Sequence, residues 1–241
     1  MNMAADIALL ERARATGESV FRVYSWSVPT LSLGRNQRAA GLYDAAALAA
    51  RGIAPVRRPT GGRAIVHWRE VTYSVTAPAN GTESMSETYA GINAVLLEAL
   101  GLLGVRAQTA GRATRERAPD ALPCFAEPSS GEIVLQGGGK LVGSAQYREN
   151  GALLQHGSIL LEDDQSLLAG LTVSATSCAA PATLALALGR PVPADEVRTA
   201  LFDAVGASLD PVAKPLEARD ILQEAEKHAL CFRDPVWTWR R

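Results

Sequence analysis

Cysteine is scarce in this 241-residue chain, with three copies and no Cys-x-x-Cys spacing, which argues against a disulfide framework and against a zinc site. Charge of one sign is lacking too. The net charge of -1 leaves no basic field to draw nucleic acid. No apolar run approaches the length that spans a bilayer, so no membrane role is expected. Near the N-terminus an apolar patch at residues 3–10 is interrupted by Asp6 and is followed by no small-residue cleavage site. It reads as an amphipathic helix rather than a signal peptide, and a cytoplasmic protein is expected. Walker, dinucleotide-fingerprint and Gly-x-Ser-x-Gly patterns are missing, so glycine content carries no nucleotide or serine-hydrolase assignment.

What remains is ordinary for a globular protein. Hydrophobic residues make up 47% and charged residues 20%, and the length allows one large domain or two small ones. Residues 3–15 have helical periodicity, while 20–26 and 30–33 read as strands around the turn at Pro29. Residues 43–51 suit a short helix ended by Gly52, and 53–56, 64–67 and 71–76 are strand-like and rich in β-branched side chains. Residues 84–103 form the clearest helix. Ser84 precedes Glu87 at capping-box spacing, and Ile92, Val95, Leu96, Ala99, Leu100 and Leu103 recur at helical spacing.

From 109 to 131 periodicity gives way to a polar, proline-containing stretch that holds Cys124. Strands follow at 132–135, 140–147 and 152–161, the first turn made by glycines 137–139 and the second by Asn150-Gly151, a strong hairpin signal. Beyond Asp163 the chain is mostly helical, clearest at 193–205 and 216–231. Antiparallel hairpins followed by helices indicate an α+β fold, and without repeat or linker residues 1–241 read as a single domain.

A two-residue turn at Asn150-Gly151 places Ala145 opposite His156, Ser144 opposite Gly157 and Gly143 opposite Ser158. Small side chains then surround one histidine. They leave volume unfilled and let a ligand or another backbone approach, so both a helix pressed on the patch and a channel for an apolar chain fit. Lys140 shares alternation parity with Ser144 unless a bulge near the glycines shifts it. Cys124 stands in a polar loop, where a nucleophile and a small buried hydrophobe are both open. A thiol reacts as thiolate, and Lys140 could supply the nearby charge. Cys178 and Cys231, in alanine-rich and helical surroundings, read as buried hydrophobes.

The second block runs from Arg57 and Arg58 through Gly61 and Gly62 to His67. Guanidinium donors beside a glycine turn suit an anion or a carbonyl oxygen, although a glycine hairpin with surface arginines is the commoner meaning of such a string. His67 fits a core histidine or a general base, and His228 a surface position.

Together Asn2-Met3-Ala4-Ala5-Asp6, Arg57-Arg58-Pro59-Thr60-Gly61-Gly62-Arg63-Ala64, His67, Thr72-Tyr73-Ser74, Gly143-Ser144-Ala145-Gln146 and Gln155-His156-Gly157-Ser158 resemble the lipoate–protein ligase and octanoyltransferase superfamily. Cys124-Phe125 followed by Pro128 and Glu132 looks like its LipM-type octanoyltransferases. The resemblance implies a biotin/lipoate protein ligase-like catalytic domain, with mixed and antiparallel sheets packed against helices and no cofactor. It implies Cys124 as the acyl-carrying thiol and Lys140 as the group that lowers its pKa. Arg57, Arg58, Gly61, Gly62, His67, Gly143, Ser144, Ala145, His156 and Gly157 would bind substrate. The implied donor is octanoyl-acyl carrier protein, and the acceptors are lipoyl domains of 2-oxoacid dehydrogenases and the glycine-cleavage H protein.

An ATP-dependent lipoate ligase, an amidotransferase between lipoyl proteins and a lipoyl-domain-binding protein without catalysis are the competing readings. Two departures stand out. The family's strand before the Asn-Met-Ala motif has no counterpart here, and Trp68-Arg69 stands where an acid often follows the histidine. Few polar contacts are therefore expected around Trp68-Arg69.

Overall fold

The computed structural model describes residues 1–79, 84–111, 124–125, 128–174 and 180–240. In chain order the elements are α1 (Asn2–Thr16), β1 (Val20–Tyr24), β2 (Thr30–Leu33), α2 (Ala45–Ala50), β3 (Ala54–Arg57), β4 (Ile65–His67) and β5 (Glu70–Pro78). Then come α3 (Met85–Leu102), β6 (Ala107–Thr109), β7 (Ile133–Leu135), β8 (Lys140–Glu149) and β9 (Ala152–Leu160). A 3-10 turn (Gln165–Gly170), α4 (Leu184–Leu188), α5 (Ala194–Ser208), α6 (Ala218–Arg233) and α7 (Pro235–Trp239) complete the chain. Among the described residues no helix is long and apolar enough to cross a membrane.

Two sheets organise the α+β fold. Six antiparallel strands run in the order β1-β5-β9-β8-β7-β6, and a smaller mixed sheet runs β3-β2-β4, with β2 parallel to β3 and antiparallel to β4. The strands on either side of Pro29 therefore belong to different sheets rather than to one unit. Β-strand pairing across the large sheet starts from the hairpin turn, where Asn150 at φ 47° and Gly151 at φ 80° adopt the left-handed conformations that match strand twist. The resulting register pairs Ala145 with His156, Ser144 with Gly157 and Gly143 with Ser158, as expected from the turn.

Side-chain alternation gives the large sheet two different faces. Val71, Tyr73, Val142 and Ile159 pack against Leu96, Ala99 and Leu100 of α3 and Val197 and Leu201 of α5. The α3 helix starts at a capping box: Glu87 N–H donates to Ser84 Oγ at 3.1 Å and Ser84 N–H to Glu87 Oε2 at 2.8 Å. A cap of this kind contributes about 1 kcal/mol. On the opposite face Ala152 and Leu154 meet Leu10 and Ala13 of α1, while Ile65, Leu160 and Phe125 fill the space toward the small sheet.

The α1 helix is not amphipathic in the expected sense. Its alanines at 4, 5 and 8 pack against Ala225 and Ala229 of α6, so both flanks are covered, and Asp6 is buried too. Strand β6 was not expected from the sequence, nor were α4, α7 and the 3-10 turn. All are six residues or shorter, too brief for a periodic signal.

The loop after β2 lies directly on the glycine loop that follows β3. A Cβ built on Gly34 would stand 1.9 Å from the Gly62 carbonyl oxygen, so only glycine allows this approach. Gly34→Ala is expected to lower stability by about 2 kcal/mol or more, read as a clear drop in melting temperature. A variant melting with the wild type would show that the two loops separate at little cost.

Candidate active site

The two sheets and α1 line a half-open cavity of about 340 Å³. Of the residues singled out in the sequence, Arg58, Gly61, Gly62, His67, Cys124, Gly143, Ser144, Ala145, His156 and Gly157 line it. Lys140 reaches it through the Cys124 side chain, whereas Arg57 lies away from it. Arg57 donates to the carbonyls of Gly34, Gln37 and Thr238 and ties the glycine loop to α7.

Cys124 and Lys140 meet. Lys140 is buried, and its Nζ donates to Glu132 Oε1 at 2.7 Å, the Cys124 carbonyl at 2.8 Å and Cys124 Sγ at 3.3 Å. An ammonium has three donors, and three acceptors surround this one. Glu132 is held in turn by the Ser129 N–H, which donates to its other carboxylate oxygen at 2.6 Å. The parity problem disappears through a bulge. Ile133 pairs with Val142 but Val134 pairs with Lys140, so Leu141 is an extra residue and Lys140 turns onto the face of Gly143. A Cβ on Gly143 would lie 3.0 Å from the Phe125 ring and 3.1 Å from Lys140 Cε, which makes Gly143 the floor beneath the thiol–ammonium pair.

The small residues do not all surround one histidine, because adjacent strand positions alternate. Gly143, Ala145, His156 and Ser158 share the cavity face, whereas Ser144 and Gly157 point toward the helices. There Tyr73 Oη lies 2.7 Å from Ser144 Oγ and accepts from Gln155 Nε2 at 2.8 Å. Burial pushes the Tyr73 phenol up to about 12. A two-residue hairpin makes Glu149 and Ala152 a close hydrogen-bonded pair, so Ser144 falls in a wide pair whose N–H points away from β9. Strand β7 pairs with β8 no further than Val142, which leaves that N–H at an edge lined by the cavity.

Two histidines face two carboxylates. His156 Nδ1 lies 3.0 Å from Asp6 Oδ2 and its Nε2 lies 2.6 Å from Thr60 Oγ1. Asp6 also accepts from Arg22 Nη1 at 2.9 Å and from Tyr24 Oη at 3.1 Å. Burial pushes the His156 pKa below its ordinary value, and Asp6 only partly opposes that. Burial raises Asp6, but His156 and Arg22 outweigh it and leave the carboxyl below its ordinary value. With a neutral ring, Nδ1–H donates to Asp6 and Nε2 accepts from the Thr60 hydroxyl.

His67 Nδ1 lies 2.7 Å from Glu70 Oε1, which also accepts from Thr72 and Ser158 hydroxyls at 2.6 and 2.7 Å. Its ring stacks on Trp26 with centroids 4.2 Å apart. The few polar contacts expected beside Trp68-Arg69 are thus corrected: Glu70 supplies the acid three residues on, and Arg69 pairs with Asp164 at 2.8 Å.

Residues 1–206 match the lipoyl protein ligase A/B catalytic domain. The chain belongs to that family. It is 39% identical to Octanoyltransferase LipM of Kyrpidia tusciae over 263 aligned residues, covering 100% of this chain and 94% of that protein. Identity to Octanoyltransferase LipM of Geobacillus kaustophilus is 40% over 179 residues, 70% of this chain and 64% of that protein. In fold the lipoyl protein ligase A/B domain is similar to the bi-partite lipoate protein ligase of Thermoplasma acidophilum, with a TM-score of 0.79 and 18% identity over 99% of this chain and 90% of that one.

Several of this domain's site residues had no assigned part in the sequence reading. Asp6 and Thr60 hold His156, Glu70 orients His67, and Glu132 holds Lys140. Asp6 carried a visible signal, an acid inside an apolar helical run. The others needed the pairing of strands. Cys231 is exposed rather than buried, and Cys178 lies outside the described residues. His228, near the surface, pairs with Glu11 at 3.0 Å.

The His156 and Asp6 shifts set a pH dependence. Both groups have lower pKa values folded than unfolded, so the unfolded chain binds more protons and stability falls on acidification. For His156 the loss begins as pH drops through its ordinary value of about 6.5; for Asp6 it continues below about 4. Denaturant melts between pH 7.5 and 5 are expected to show this decline, and His156→Gln is expected to flatten it. An equal slope in the variant would remove His156 as its source.

Proposed function

We propose that the protein is an octanoyltransferase that carries its acyl group as a thioester on Cys124. The observation that carries this reading is the buried Lys140 ammonium, 3.3 Å from Cys124 Sγ at the wall of a half-open cavity. An ammonium N–H directed at the sulfur stabilises the thiolate, the reactive form. The two relatives named above are octanoyltransferases by name, which agrees with a cysteine-borne acyl group.

In the first half-reaction the Cys124 thiolate attacks the thioester carbon of octanoyl-acyl carrier protein. The tetrahedral oxyanion collapses, the carbon–sulfur bond to the carrier breaks, and the carrier leaves as a thiolate. The Ser144 N–H, at the cavity edge, would donate to the oxyanion. In the second half-reaction the lysine amine of a lipoyl domain, or of the glycine-cleavage H protein, attacks the Cys124 thioester and expels the Cys124 thiolate. An ammonium that becomes an amide loses two protons. One goes to the carrier thiolate and the other to water.

The octanoyl chain would lie across the cavity face, over Gly143, Ser158 and Thr72 toward Tyr24. From β8 to β1 this row covers three strand spacings, roughly 14 Å. Arg58, Gly61, Gly62, His67, Ala145, His156 and Gly157 shape the walls around it. In this reading residues 1–241 act as one catalytic domain in the cytoplasm.

Octanoyl-acyl carrier protein added without ATP is expected to raise the protein's mass by one octanoyl group, mapped to Cys124. Cys124→Ala is expected to abolish both this adduct and transfer to a lipoyl domain. Full transfer by Cys124→Ala would sink the reading, and so would loading of free lipoate that requires ATP and leaves Cys124 unmodified.

A further inference from the structure

Arg58 is buried, yet every hydrogen bond it donates ends on an uncharged oxygen. Nε and Nη2 meet the Gly61 carbonyl at 3.1 and 2.8 Å, Nη1 meets the Ser32 carbonyl at 3.0 Å and hydroxyl at 3.3 Å, and Nη2 also meets the Arg63 carbonyl at 2.8 Å. No carboxylate among the described residues pairs with it. A buried guanidinium without a counter-charge is costly, and structures usually offset it with an anion.

The other charges around the cavity are already matched. Lys140 lies 2.7 Å from Glu132, so the thiol beside it faces a neutral pair rather than a net charge. His67 and His156 face Glu70 and Asp6. Arg63 is partly open to water, where its field is screened. Arg58 is left as the buried, unmatched cation.

Cys124 is its geometric partner. The Cys124 N–H donates to the Ala64 carbonyl at 3.0 Å, while Arg58 Nη2 holds the carbonyl of the preceding residue, Arg63. The Arg63-Ala64 dipeptide thus ties the Cys124 backbone to the Arg58 guanidinium, and both side chains line the same cavity. We propose that Arg58 supplies the net positive charge that keeps Cys124 ionised, while Lys140 supplies the directed hydrogen bond. Burial lowers the Arg58 pKa, and a thiolate at Cys124 would oppose that fall. The inference rests on Cys124 as the nucleophile, but its test needs no acyl donor or acceptor, so the two fail separately.

The experiment is the pH profile of Cys124 alkylation by iodoacetamide, followed on the Cys124 peptide by mass spectrometry so that Cys178 and Cys231 do not contribute. Arg58→Gln is expected to raise the midpoint by about one pH unit over the wild type, a tenfold loss of thiolate at neutral pH, and Arg58→Lys to restore most of it. Removing the neutral pair in Lys140→Met/Glu132→Gln is expected to raise it by clearly less than about one unit, with Arg58 still present. An unchanged midpoint in folded Arg58→Gln would overturn the proposal. So would a double variant whose midpoint rises by about one pH unit or more, and that arm stands even if Arg58→Gln does not fold.

Discussion

The register between β8 and β9 is the constraint on which the cavity depends. Sheet side chains alternate with period two, so a slip of β9 by one residue against β8 would turn His156 and Ser158 into the helical core and Gly157 into the cavity. The Asn150-Gly151 turn prevents that slip, and further along β8 the bulge at Leu141 shifts its register against β7. Between these points the chain presents glycine, alanine and serine on the cavity face, and beyond the bulge it presents Lys140. A hairpin and a bulge, both local features, together bring a lysine over a floor with no side chain.

Polar groups inside the molecule form chains that join elements far apart in sequence. Asp6 on α1 links Arg22, Tyr24 and His156, and His156 passes the link to Thr60 in the glycine loop. Arg57 then fastens that loop to α7 through Thr238, and the Trp237 indole N–H returns a bond to the Arg57 carbonyl. These groups leave water together, and each finds a partner in the fold, the condition under which buried polar networks hold a site rigid. Arg58 sits among them with only carbonyl and hydroxyl partners among the described residues, which on our proposal leaves its charge available to the cavity.

Much of the fold was legible from short-range signals. The capping box at Ser84 and Glu87, the apolar spacing of α3 and the hairpin turn each describe contacts within a few residues. The family-like blocks marked Gly61, Gly62, Gly143 and His156, which do line the cavity. Other readings failed where a neighbour outside the window decided the outcome. The strands flanking Pro29 part into two sheets because β1 finds β5 and β2 finds β3 and β4. Arg57, read as a ligand donor, turns onto the carbonyls of Gly34, Gln37 and Thr238, away from the cavity that Arg58 lines.

By itself the sequence determined where the long helices α1, α3, α5 and α6 lie, where β8 turns into β9 and which side chains stand opposite each other across that turn. These depend on backbone preference and on periodicity of two or 3.6 residues, which act locally. Tertiary structure alone decided that Lys140 meets Cys124 and Glu132, that Asp6 meets His156, and that Arg58 has no counter-charge among the described residues. Those outcomes depend on the order of strands and on what each buried group finds after leaving water. Neither is written in any single stretch of chain.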